Sequence, residues 1–171
     1  MSFRSDIENV LAITNTGGIG TNQMMHDEHA RHQMYLNALS LASSLEEREL
    51  IATVLRDPDG VMAEAAVVSH IDRQASVLNS RSSYENWANR VVDLMSQHDF
   101  LVCRIKEWKL FKGIMEDGVG SVDALRDASD WLQRKVAQDA TSRAVLEKLA
   151  EVGRTKRVRN IASSRSKHPR L

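Results

Sequence analysis

The sequence predicts an all-α fold, a single domain of about eight or nine antiparallel helices, on three observations. Apolar residues recur at three- and four-residue spacing along most of the chain, the period of a helix with one buried face. Capping signals stand ahead of those runs. Only two prolines, Pro58 and Pro169, fall among 171 residues, so little interrupts helical hydrogen bonding.

Taken in order, the spacing places helices near 5–14, 23–42, 45–56, 61–79, 83–98, 100–116, 122–139, 142–152 and 155–164. Ser5-x-x-Glu8, Ser44-x-x-Glu47 and Ser82-x-x-Glu85 have capping-box spacing, in which hydroxyl and carboxylate each satisfy an orphan N–H. Ser121 and Thr141 are further N-cap candidates. The expected core stripes are Met25, His29, His32, Leu36 and Leu39; then Val61, Ala65, Val68, Asp72 and Ala75; then Tyr84, Trp87, Val91 and Leu94. Leu101, Ile105, Trp108 and Met115, widened by Phe100, Cys103, Leu110 and Ile114, make the most apolar helix. Leu125, Ala128, Leu132 and Val136 form the next stripe, and Val145, Leu149 and Val152 a short later one. Trp87, Trp108 and Leu132 belong in the core on this pattern. Asp57-Pro58-Asp59-Gly60 and Asp117-Gly118 read as turns, and Gly153 as a C′ glycine. Residues 1–22 read as a short helix and a Gly-rich loop, 23–164 as the helical domain, and 165–171 as a basic flexible tail.

Two segments resemble each other. Leu50 to Val67 reads helix, Asp-Pro-Asp-Gly turn, then Val61-x-x-x-Ala65-Ala66; Val145 to Ala162 reads helix, Gly turn, then Val158-Arg159-x-x-Ala162. Both resemble HEAT-type helical repeats, whose second helix commonly opens Asp-x-x-Val-Arg-x-x-Ala, although Met62 stands where the first unit would carry arginine. The resemblance implies a curved stack of helix pairs offering one face to a macromolecule. Periodicity by itself is equally compatible with an irregular bundle.

Chemistry-bearing motifs are scarce. His26, His29 and His32 invite a metal reading, because His29 and His32 share a helical face and Glu28 lies one turn from His32. The cluster lacks both the His-Glu-x-x-His arrangement and the paired Glu-x-x-His motifs of di-iron bundles, so no metal or other cofactor is expected. Thr16 to Thr21 follows a helix and has no Gly-Lys-Ser/Thr ending, which makes it a linker rather than a phosphate loop. Cys103 reads as a core thiol. Asp72 and Asp93 fall near apolar stripes, where an arginine of an adjoining helix would pair with each.

Charge is unevenly distributed. From Arg154 onward there are seven cations and no acid: Arg154, Lys156, Arg157, Arg159, Arg165, Lys167 and Arg170. The preceding 153 residues hold 16 basic and 23 acidic groups. A neutral total therefore combines an acidic body with a basic end. Arg154, Lys156, Arg157, Arg159, Arg165 and Lys167 are the candidate partner-binding residues, for an acidic protein surface or for phosphates. No apolar run reaches the length of a membrane span, no signal peptide precedes the first helix, and a single cysteine fits a reducing compartment, so the expected location is the cytoplasm. The expected function is non-catalytic: a helical regulator, adaptor or bacterial immunity-type component that docks a macromolecule, above all another protein. Nucleic-acid binding through the basic last helix is the alternative, and a metal-dependent helical-bundle enzyme a remote one.

Overall fold

A computed structural model describes residues 5, 8–10, 12 and 26–167, the side chains of 119–121 excepted. The expected loop at 14–22 and the last residues of the tail, 168–171, lie outside the described residues. Of the expected helix at 5–14, the described positions are helical.

The fold is all-α, with no strand among the described residues. Helix α1 spans Glu28–Leu41, α2 Glu46–Val54, α3 Gly60–Val77 and α4 Arg81–Val91, which ends in a 3₁₀ turn at Val92–Met95. Helix α5 spans Asp99–Asp117 and passes into a 3₁₀ segment, Gly118–Leu125, followed by α6 (Asp130–Asp139), α7 (Arg143–Val152) and α8 (Lys156–Ser166). The chain divides into two compact units, residues 1–77 with 86–104, and residues 78–85 with 105–171.

The caps sit beside their expected positions. Ser43, not Ser44, forms the box ahead of α2: its N–H and hydroxyl donate to the Glu46 carboxylate at 3.0 and 2.7 Å. Ser80, not Ser82, accepts from Ser83 N–H at 3.1 Å, and Ser142, not Thr141, caps α7. Ser129 caps α6, because the segment after Gly118 (φ +72°) is a 3₁₀ turn and the α-helix starts later than expected. Gly153 has an ordinary φ of −56°, so it is not a left-handed cap. A Cβ there would lie 2.7 Å from the Leu149 carbonyl and 2.9 Å from Val158 Cγ1, so close approach of α7 and α8 requires the glycine.

In the first unit, Arg31 near the start of α1 reaches Asp57 just before α3, and Arg73 near the end of α3 reaches the Ser40 carbonyl at 3.1 Å. Helices α1 and α3 therefore run the same way, with α2 returning between them. Two buried polar networks hold this unit. Asp57 accepts from Arg31 Nε at 2.9 Å and from the Tyr35 hydroxyl at 2.8 Å. Glu47, expected to be a capping carboxylate, is buried instead. Its Oε1 accepts from His70 Nε2 at 2.7 Å, Trp87 Nε1 at 2.8 Å and Gln74 Nε2 at 3.3 Å. Around these lie Met34, Ala38, Leu50, Ile51, Val54, Ala66, Val67 and Ile71.

The second unit repeats the up-down-up pattern with α6, α7 and α8, but its core is aliphatic: Val122, Leu125, Leu132, Val136, Val145, Leu146, Leu149 and Val158. Buried Gln133 is its polar centre. Its amide donates to the Leu125 carbonyl at 2.7 Å and accepts from Arg154 N–H at 2.8 Å, joining the 3₁₀ exit to the α7–α8 corner. Lys112 is also buried, donating to the Leu78 carbonyl at 2.6 Å. Burial pushes its pKa down, and Lys135 adds to this against the opposing charge of Glu116.

Trp87, Trp108 and Leu132 are core residues, as the pattern predicts. Cys103 is exposed, which overturns its reading as a core thiol: with Leu101 and Ile105 inward, position 103 faces out, as does neighbouring Phe100. Asp72 and Asp93 do meet arginines, Arg104 at 3.5 Å and Arg48 at 2.8 Å.

Burial alone would raise the Glu47 pKa, but hydrogen bonds from His70 and Trp87, with the positive field of His70 and Arg90, hold it below the usual glutamate range. A carboxyl depressed in the folded state contributes stability above its unfolded pKa and loses it as pH falls through the folded value. Denaturant stability should therefore decline as pH drops below the ordinary carboxylate range, and Glu47→Gln should remove that part of the slope. Glu47→Ala, which leaves three donors without their acceptor, should lower stability by about 3 kcal/mol in urea melts; a loss below about 1 kcal/mol would contradict the network.

Candidate functional site

Two regions carry the residues that sequence reasoning singled out. The first is a groove of about 540 Å³ in the first unit, between the opening turns of α1 and α3. From α1 come Glu28, His29, His32 and Gln33; from the approach to α3 and its first turns come Asp59, Val61, Met62 and Ala65. Helix α1 starts at Asp27, whose carboxylate accepts from Ala30 N–H at 3.0 Å, and α3 starts at Asp59, which accepts from Met62 N–H at 3.0 Å. That backbone bond does most to depress the Asp59 pKa; burial opposes it, and the Glu28 carboxyl and the charge of Arg31 add to the lowering.

Both walls are rotated relative to the expected stripes. On α1 the buried residues are Arg31, Met34, Tyr35, Ala38 and Leu39, so His29 is exposed and His32 half-buried on the groove. On α3 they are Met62, Ala63, Ala66, Val67, His70, Ile71 and Ala75, which leaves Val61 85% exposed. The histidines thus line a surface groove, not the core. His29 lies 3.6 Å from Glu28, and His26 is exposed. Among the described residues no three His, Cys, Asp or Glu side chains are placed to hold one metal ion.

The second region is the basic end. Thr155 caps α8 by accepting from Val158 N–H at 3.2 Å, and Val158 and Ala162 bury the inner face. Three of the six candidate cations are engaged within the second unit. Arg154 pairs with Asp130 at 2.9 Å, Arg159 donates to the Gly153 carbonyl at 2.7 Å, and Arg165 donates to the carbonyls of Ala137 (3.1 Å) and Gln138 at the end of α6. Those carbonyls are the orphan acceptors of helix ends, so Arg159 and Arg165 act as C-terminal caps. Lys156, Arg157 and Lys167 are exposed, with no partner among the described residues. Lys156 and Arg157 occupy the first turn of α8, where the helix dipole disfavours cations and no acid offsets them.

No protein-family model, characterised protein or solved structure matches the chain. Function must therefore be argued from these two surfaces. Among the described residues no helix is long and apolar enough to cross a membrane. Charge separates sharply between the units: the first carries 7 basic and 13 acidic groups, net −6, and the second 16 basic and 10 acidic, net +6. Sequence reasoning located the basic end but missed the groove. Its signal was present in the acid pair and the apolar residues flanking Asp-Pro-Asp-Gly, but the wrong helical phase concealed it.

The two kinds of cation should separate on mutation. Arg159→Gln or Arg165→Gln should each lower stability by about 1 kcal/mol through loss of a carbonyl cap. Lys156→Gln with Arg157→Gln should leave it unchanged or slightly raised. Equal losses in thermal melts of all these variants would show that the exposed pair also holds the fold.

Proposed function

We propose that this chain is a non-catalytic docking protein whose first unit receives another protein in the α1–α3 groove. The observation that carries the reading is Val61, a valine 85% exposed beside Met62 and Ala65 and rimmed by Glu28, His29, His32, Gln33 and Asp59. An apolar patch with a polar rim is the anatomy of a protein interface. Leu41, Leu45 and Val77 are also exposed in the first unit, at and just past the end of α1 and at the end of α3. Its net charge of −6 favours a partner with a basic rim, because complementary fields speed encounter. The HEAT-like resemblance supports the same class of function, a helical stack offering a face to a macromolecule. The aligned valines differ, however: Val61 is exposed and Val158 buried, so the two hairpins do not present one repeated face.

A second reading is nucleic-acid binding by the second unit. Its support is the net charge of +6 and the placement of Lys156 and Arg157 against the helix dipole.

Affinity capture from the cells that make the protein, with and without nuclease, decides between these. Under the first reading a protein partner survives nuclease and is lost with Val61→Asp. That change adds a favourable charge to the first turn of α3 and so should not unfold it. It should be retained with Lys156→Gln and Arg157→Gln. Capture that disappears with nuclease or with the α8 variant, while tolerating Val61→Asp, would overturn the groove and favour nucleic acid.

A further inference from the structure

The second unit holds an arrangement that neither surface above uses. Trp108 on α5 meets Phe111, one turn on, at a centroid distance of 5.3 Å and an interplanar angle of 85°. It meets Trp131 on α6 at 5.4 Å and 67°. These edge-on contacts stand the rings as walls rather than as a flat stack. Against them lies a cation: Lys135 Nζ is 4.8 Å from the Trp108 centroid and 5.0 Å from that of Phe111, both within cation–π range. The same ammonium is 2.8 Å from Asp139, one turn further along α6. Two aromatic faces, one of them backed by a third ring, and one carboxylate are the chemistry that recognises an ammonium group. Trp108 is buried, whereas Phe111, Trp131 and Lys135 are half-exposed, so the group is open to solvent on one side.

We propose that this aromatic box is a binding site for a methylated ammonium group, with Lys135 as its tethered resident cation. A primary ammonium is strongly hydrated and prefers water and a carboxylate; a trimethylated one has shed that hydration and prefers ring faces. An incoming methylated cation therefore takes the rings while Lys135 retains Asp139, its i,i+4 partner, and swings outward on its flexible stem. This site is independent of the groove in the first unit, and its failure would leave that reading intact.

Nuclear magnetic resonance of the three indole N–H groups tests it, since Trp87, bonded to Glu47 in the first unit, is an internal control. The probes are choline, its uncharged isostere 3,3-dimethylbutan-1-ol, and a short peptide bearing trimethyllysine or unmodified lysine. Choline should shift Trp108 and Trp131 saturably and leave Trp87 still, while the isostere should not. Lys135→Met, which keeps the stem and removes the competing charge, should tighten choline binding by roughly three- to tenfold, the scale of one cation–π contact. Adding Phe111→Leu should abolish that gain, with an unchanged circular dichroism spectrum showing the fold intact. Tighter binding of the trimethyllysine peptide than of choline identifies a modified protein as the source; the reverse order identifies a small molecule or lipid headgroup. Equal shifts from choline and its isostere, or no saturable shift in Lys135→Met, would overturn the proposal.

Discussion

Two buried carboxylates, Glu47 and Asp57, decide how the first unit presents itself. Asp57 draws Arg31 and Tyr35 inward, and Glu47 draws His70 and Trp87. A helix has one rotational phase, so each buried polar residue fixes the direction of all its neighbours. With Arg31 and Tyr35 inward, the inner face of α1 continues through Met34, Ala38 and Leu39, and His29 rotates out. With His70 inward, the row below it on α3 is Ala66 and Met62, and Val61 is turned to solvent. The groove is therefore a consequence of the ion pairs.

This also explains which parts of the fold were legible. Helices could be read because their period, breakers and caps are local, and the caps of α2 and α4 erred by only a residue or two because serines adjoin one another at Ser43–Ser44 and at Ser80, Ser82 and Ser83, whereas Ser121 lies eight residues before the cap of α6. The stripes of α5, α6 and α7 were read nearly correctly, because Leu101, Ile105, Leu132, Val136, Val145 and Leu149 are aliphatic and buried. Those of α1 and α3 were misread because a buried arginine and a buried histidine counted as surface. No spacing rule announces that Glu47 is an internal acceptor, since its donors lie 23 and 40 residues away. At α4 the stripe held until the helix tightened into a 3₁₀ turn, which substitutes Met95 for Leu94 on the inner face.

The basic end shows the converse. A run of cations without acids looks like a binding element, but half of the candidate cations there satisfy acceptors of their own unit. Arg159 and Arg165 close helix-terminal carbonyls, and Arg154 pairs with Asp130 on α6. Arginine suits this use because each terminal nitrogen carries two N–H donors, and Arg165 Nη1 donates to both Ala137 and Gln138. Composition reported the charge of the segment but not which of its cations are held within the unit. The excess charge of the second unit lies wholly in this segment, since the rest of that unit carries 9 basic and 10 acidic groups.

The two units thus use opposite means of specification. The second is set mainly by aliphatic packing around the buried Gln133, and the residues it leaves outside are mostly polar. The first is set by charged pairs, which contribute little net stability after desolvation but are severely destabilising to break. That choice frees its apolar residues from deciding the fold. Val61, Leu41, Leu45 and Val77 remain outside because nothing in the core depends on them. A surface of that kind can vary without disturbing the helices beneath it, because the carboxylates that hold those helices are buried.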